Sequence, residues 1–229
     1  MTAMRILSCS LTIALLPVAA SANGNLAAVL ARLDATSDTF QSMTAGLKRI
    51  THTAVINDSS EELGTVRMLR VKKGDLRMLI EFLEPDTTSV AFIGRKAELY
   101  YPKTQTVHEY DLGKHRSLVD QFLLLGFGTS GRELSRSYNI KLIGQETVGA
   151  YKAARLELTP RSPQLGEHLK KVELWVHDTE GFPVRQKFYQ KSGDYTLIEY
   201  SGIKWNPPLT PAALQLKLPA NVKREFPAK

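Results

Sequence analysis

The residues Gly126-Phe127-Gly128-Thr129-Ser130-Gly131 repeat the spacing G-x-G-x-x-G, which in a dinucleotide-binding protein brings backbone amides up to a pyrophosphate. That chemistry needs a parallel strand before the glycines and a helix opening after them. Here an apolar helical run precedes them, so Gly126 and Gly128 read as a hinge. Ser130 sits in no G-x-S-x-G elbow, and no local motif joins a serine to a base and an orienting carboxylate, although a triad of distant residues is recognised by geometry alone. The five histidines, His52, His108, His115, His168 and His177, show neither H-x-x-x-H nor any Cys/His ligand spacing, so neither a metal nor another cofactor is expected. Asn57-Asp58-Ser59 formally fits a glycosylation acceptor and is more simply a turn. In the absence of a site motif the expectation is binding and not enzymatic catalysis.

The first residues set the compartment. Arg5 precedes an apolar run from Ile6 to Val18 and then the small residues Ala19-Ala20-Ser21-Ala22, the pattern of a secretory signal peptide over residues 1–22. The run is shorter than the roughly 20 residues of a spanning helix, and cleavage after Ala22 leaves a mature chain starting at Asn23. Cys9, the one cysteine, falls inside the signal, so neither a disulfide nor a lipid anchor is expected. Residues 23–229 are enough for one sizeable domain. The formal charge of +7 includes Arg5, and the remaining surplus is spread in pairs such as Lys72-Lys73 and Lys170-Lys171. Such a surface suits anionic headgroups or an acidic partner, and nucleic acid is not an expected partner of an exported protein.

After the cleavage site, Leu26, Val29, Leu30 and Leu33 recur at three- and four-residue spacing and predict an amphipathic helix ending near Asp34. The period then changes to two. Strands are expected at 42–56, 63–72, 76–82, 89–94, 97–101, 106–111, 138–147, 151–159, 169–177, 183–190 and 195–205, separated by tight turns that imply antiparallel hairpins. The rhythm breaks at Leu118, Val119, Phe122, Leu123 and Leu125, an apolar helical segment, with a more polar helical turn through Glu133 and Leu134. The proline-rich tail from Asn206 is expected to run over the surface with one short strand at 214–218. About eleven strands are too many for a flat sheet, which curls or splits.

A curled sheet has a concave face. Leu76, Met78, Ile80 and Phe82 share one side of their strand against Arg77, Leu79 and Glu81; Phe92, Leu99 and Tyr101 continue that side with Val90. Later, Val172, Leu174 and Val176 alternate against Glu173, Trp175 and His177, and Val184, Gln186 and Phe188 alternate against Arg185, Lys187 and Tyr189. Two readings stay open here, a sheet packed on two helices and an apolar cavity for acyl chains, because periodicity does not separate a filled core from an empty one.

The stretch from Leu69 to Pro85, Leu-Arg-Val-Lys-Lys-Gly-Asp-Leu-Arg-Met-Leu-Ile-Glu-Phe-Leu-Glu-Pro, resembles the early strands of LolA-type outer-membrane lipoprotein carrier proteins. The likeness continues through Ile93-Gly94-Arg95-Lys96-Ala97-Glu98-Leu99-Tyr100-Tyr101-Pro102 and Gln105-Thr106-Val107, and later through the apolar helix, Tyr138 to Ile143, and Leu156-Glu157-Leu158-Thr159-Pro160. It covers nearly all of the mature chain, and it rests on order and spacing more than on any one motif. The resemblance implies a mainly β fold, a curved antiparallel sheet of about eleven strands forming an incomplete β-barrel with a helical lid. It also implies a periplasmic, monomeric carrier or chaperone of lipoproteins or lipids, working between an inner-membrane lipoprotein-releasing transporter and an outer-membrane acceptor. On this reading Met68, Leu76, Met78, Ile80, Phe82, Phe92, Leu99, Tyr101, Leu174 and Phe188 line the acyl site, and Leu118, Val119, Phe122, Leu123 and Leu125 form the lid. The family's lid-closing arginine matches Lys73, with Arg77 nearby, and lysine offers a flexible point charge in place of a planar fork. An envelope module that senses lipid or lipoprotein and signals through a partner is the competing expectation.

Overall fold

The computed structural model describes residues 26–72, 75–113 and 125–227. The first helix, α1 (Leu26–Thr39), buries Val29 and Leu33, as its apolar spacing requires, but runs past Asp34. The extra turn carries no apolar stripe. It is held by hydroxyls that donate to carbonyls: Ser37 donates to Asp34 at 2.9 Å, and the single Thr36 proton is shared between the Arg32 carbonyl at 2.8 Å and the Glu180 carbonyl at 2.6 Å.

Six strands follow: β1 (Ser42–Thr53), β2 (Asp58–Lys72), β3 (Asp75–Glu84), β4 (Thr88–Ile93), β5 (Lys96–Tyr101) and β6 (Thr106–Asp111). β2 begins earlier than its apolar alternation suggests, because Asp58–Glu62 pair with Thr53–Arg49 in a ladder wet on both faces. Next come α2 (Gly131–Ser137), β7 (Tyr138–Val148), β8 (Tyr151–Pro160), α3 (Pro163–His168), β9 (Lys171–His177), β10 (Pro183–Tyr189), β11 (Tyr195–Trp205) and β12 (Lys223–Glu225). Ser130 caps α2: its Oγ accepts from the Glu133 amide at 3.1 Å while Glu133 accepts from the Ser130 amide at 2.8 Å. The serine of the glycine motif is therefore a helix cap.

Among the described residues the strands form one curved sheet in the order β12-β6-β5-β4-β3-β2-β1-β11-β10-β9-β8-β7. Two meanders, β1–β6 and β7–β11, meet where β1 pairs antiparallel with β11. The sheet does not close, and the fold is the expected incomplete barrel with helices. The expected strand at 214–218 is absent. Pro211–Leu214 instead forms a 3-10 turn whose Leu214 is fully buried against Leu79 and Ala91 on the convex face. A segment crossing a sheet's face has no ladder to join; the tail pairs only where it reaches an edge, as β12 running parallel to β6.

Candidate functional site

Strand pairing sorts the concave side chains into rows. Met43, Met68, Met78, Phe92 and Ala97 lie opposite one another in one row, Ala45, Val66, Ile80, Val90, Leu99 and His108 in the next, and Leu47, Gly64, Phe82, Thr88, Tyr101 and Thr106 in the third. Burial divides this face. Over β7–β10 it is a filled core, where Leu156, Val172 and Leu174 pack under Val29, Leu33 and Leu125, with Phe188 half-buried beside them. Over β1–β3, Met68, Leu76, Met78 and Phe82 are buried with Phe40 and Phe127. Toward β4–β6, Ile80, Val90, Phe92, Leu99 and Tyr101 keep accessible surface. Of the ten expected lining residues, Met68, Leu76, Met78, Phe82 and Leu174 thus sit inside packed clusters, while Ile80, Phe92, Leu99, Tyr101 and Phe188 still present surface.

Two polar side chains on this face bind the segment at residues 125–128. Gln186 is 1% exposed; its Nε2 donates to the Leu125 carbonyl at 2.5 Å, and its Oε1 accepts from the Tyr200 hydroxyl at 2.9 Å. Burial pushes the Tyr200 hydroxyl above the ordinary tyrosine range, so it remains a donor at every physiological pH. Arg70 donates through Nη1 to the Ser37 carbonyl and through Nη2 to the Gly128 carbonyl, each at 3.1 Å, with its guanidinium 5.2 Å from the Phe40 ring centre. Together they pin the stretch Leu125-Gly126-Phe127-Gly128, whose Leu125 enters one core cluster and whose Phe127 enters the other.

Gly126 and Gly128 have φ of +82° and +71°, and a Cβ at the first would come within 2.6 Å of Pro183 Cγ, while one at the second would meet Arg70 Nη2 closer still. The glycines expected as a hinge are therefore a tightly packed tether. Arg77, expected beside the gate, instead follows the parity of Leu79 onto the convex face and pairs with Asp75 at 3.5 Å. The concave arginine that grips backbone is Arg70. Lys73 and the lid residues Leu118, Val119, Phe122 and Leu123 lie outside the described residues. Both missed positions carry a parity signal: Arg70 follows Val66 and Met68, and Gln186 precedes Phe188, each a polar residue on an apolar row.

Val184 does not share the face of Gln186. An irregularity in pairing between Pro183 and Arg185 turns it to the convex side, where it packs with Trp175 and Phe182. That side is a charge carpet. Arg155 and Arg185 lie 5.2 and 5.3 Å from the Trp175 ring, and Trp175 Nε1 donates to Glu146 at 2.7 Å. Glu173, 3% exposed, accepts from Lys171 at 2.9 Å and Tyr189 at 3.0 Å and pairs with Arg155 at 2.9 Å. Burial pulls the Glu173 carboxyl upward, but these partners outweigh it and hold it below the usual range. Tyr189, half-buried beside that carboxylate, is raised to about 12 by desolvation first and then by the carboxylate. These pairs tie β8, β9 and β10 together on the convex side of the sheet.

At the rim beyond the third row lies a pocket of about 750 Å³, lined by Asp86, Thr88, Tyr101, Lys103, His108 and Glu225 among others. Among the described residues no three His, Cys, Asp or Glu side chains converge in a way that could hold a metal ion.

A protein-family model described as "Uncharacterized protein" matches residues 74–210. No curated protein matches the sequence. Solved structures similar to this chain include an uncharacterized conserved protein from Thermus thermophilus, at TM-score 0.56 and 14% identity over 87% of this chain and 98% of that one. MucB is similar at TM-score 0.54 and 16% identity, over 84% of this chain and 63% of MucB, and has also been solved with MucA from Pseudomonas aeruginosa. This chain thus spans less than two thirds of MucB's length. LprF from Mycobacterium bovis is similar at TM-score 0.50 and 14% identity, over 82% of this chain and 95% of that one.

Proposed function

Because the chain belongs to the family whose model covers residues 74–210, and its open sheet has the LolA-like fold, we propose that it is a periplasmic carrier of acyl chains. Its cargo is the lipid part of lipoproteins or a related lipidated molecule, taken from an inner-membrane transporter to an outer-membrane acceptor, with binding and not catalysis as its work. The observation that carries this reading is the strip Ile80, Val90, Phe92 and Leu99, apolar, concave and still accessible beside a filled core. Each acyl methylene moved from water onto such a surface contributes about 0.8 kcal/mol, so a chain of ordinary length binds without any polar contact. Transport between membranes further requires that the strip stay shallow enough to release what it takes.

Mass spectrometry of the mature protein purified from a periplasm, followed by transfer of a purified triacylated lipoprotein to membranes, tests the proposal. Co-purifying lipid that passes on to membranes supports it, and Phe92→Glu should abolish capture while leaving the sheet folded, since Phe92 keeps accessible surface where Met78 beside it is buried. A protein that refuses acyl chains would sink it. The likeness to MucB, solved in complex with MucA, favours a second reading, a lipid-responsive module that signals through a protein partner. Lipid capture without any transfer would move that reading ahead.

A further inference from the structure

The pocket at the rim of β4–β6 has no place in a purely apolar carrier. Its position is fixed by pairing: Thr88, Tyr101 and Thr106 form the row next to Val90, Leu99 and His108, so its floor continues the acyl strip with no strand between. From Phe92 to Thr88 is four residues of β4, about 13 Å at the rise of a strand. Its volume of about 750 Å³ is that of a small-ligand site. The charges at the mouth come from three separate segments. Asp86 in the β3–β4 turn pairs with Lys103 in the β5–β6 turn, and from the tail strand Glu225 pairs with Lys223 at 2.6 Å and with His108 Nε2 at 3.1 Å.

We infer that this pocket is a headgroup site for a zwitterionic phosphoethanolamine lipid whose acyl chain lies along Leu99, Val90 and Phe92. The inference rests on the carrier reading and adds the class of cargo. Charge balance selects the headgroup. Both lysines already face carboxylates, so a purely anionic group would gain two cations only by meeting Asp86 and Glu225. A phosphate carrying an ammonium exchanges both pairs at once, phosphate to Lys103 and Lys223, ammonium to Asp86 and Glu225. The Thr106 hydroxyl donates to the Thr104 carbonyl at 3.0 Å, leaving its oxygen free to accept from the ammonium. A neutral diacylglycerol fills the strip but leaves the charged mouth unused.

The test titrates the mature protein with monomeric dihexanoyl phosphatidylethanolamine, dihexanoyl phosphatidylglycerol, dihexanoylglycerol and free phosphoethanolamine. Phosphatidylethanolamine should bind about tenfold tighter than the diacylglycerol or phosphatidylglycerol, and free phosphoethanolamine about a hundredfold more weakly than the lipid. The double variant Lys103→Ala, Lys223→Ala should lose that preference and keep diacylglycerol binding; both side chains are at least 70% exposed, so folding is not at stake. Equal binding of phosphatidylethanolamine and diacylglycerol by the unaltered protein overturns the headgroup site and leaves the carrier standing. So does a double variant that keeps the full preference, or phosphatidylglycerol bound as tightly as phosphatidylethanolamine. Free phosphoethanolamine bound as tightly as the lipid makes the pocket a small-molecule site instead. If no acyl compound binds, the carrier reading falls and the inference with it.

Discussion

Replacing Gln186 by leucine removes the side chain whose hydrogen bonds link the tether to Tyr200 of β11. The swap conserves volume, so the effect isolates the hydrogen bonds. Gln186 and Tyr200 are 1% and 4% exposed, and water does not reach their shared site. The variant leaves the Leu125 carbonyl and the Tyr200 hydroxyl without their bonds of 2.5 and 2.9 Å. A buried polar group stripped of its partner costs about 1–3 kcal/mol, so two such groups, less the gain from an apolar leucine, give a net loss of about 2–4 kcal/mol. For a domain of this size that is roughly a 5–15 °C fall in Tm. Tyr200→Phe alone keeps the Leu125 bond and should cost less, about 1–2 kcal/mol. The decisive comparison is a double-mutant cycle by chemical denaturation: in the Gln186→Leu background Tyr200→Phe removes a hydroxyl that is already unpaired, so its cost should vanish. If Tyr200→Phe costs the same in both backgrounds, or Gln186→Leu costs less than about 0.5 kcal/mol, the tether is not held as described.

Arg70→Ala should lower stability by about 1.5–3 kcal/mol and speed amide exchange at residues 125–128, with Arg70→Lys recovering less than half, because one ammonium does not reproduce two forked bonds to Ser37 and Gly128. Phe127→Ala opens a cavity among Phe40, Tyr200 and their neighbours and should cost about 3–5 kcal/mol in denaturant unfolding. The Trp175 hydrogen bond first, and then Arg155, hold Glu146 below the ordinary carboxylate range, and Glu173 is also held low. Lowered carboxylates stabilise fully above their unfolded pKa and lose that contribution as pH falls through the folded value, so stability should drop progressively below about pH 5. Glu173→Gln, less stable at neutral pH, should show a shallower drop over the same window when unfolding is followed by tryptophan fluorescence.

Most of the sheet was legible because strand periodicity survives wherever one face is buried. Met78, Ile80 and Phe82 separate cleanly from Arg77, Leu79 and Glu81, and the pairing places them as that alternation demands. The alternation was blind where no face is buried, as at Asp58–Glu62, and where an irregularity shifts parity, as at Val184. Helix α3 escaped because six residues carry too little pattern, although Ser162 and Pro163 mark its cap and first turn. The tail misled for a different reason. Leu214 and Leu216 alternate as a strand would, but they pack flat on Leu79 and Ala91, where no backbone edge offers a ladder.

What the sequence left open was whether the concave face is core or cavity, and the structure divides that face rather than choosing. The β7–β10 half is closed by α1, which supplies Val29 and Leu33 as a permanent filling. The β4–β6 half receives no such helix among the described residues, and its apolar row ends in threonines, Tyr101 and charged side chains. That gradient, from packed methionines through accessible Val90 and Leu99 to a polar mouth, has the polarity order of an amphiphile. A core needs no such order, since a filled interior gains most by staying apolar to its end and a charged rim adds little to its stability. A surface that must hold a chain and present its head to a membrane does need it, and for that reason the polarity gradient on this half of the sheet, and not the resemblance alone, supports the carrier reading.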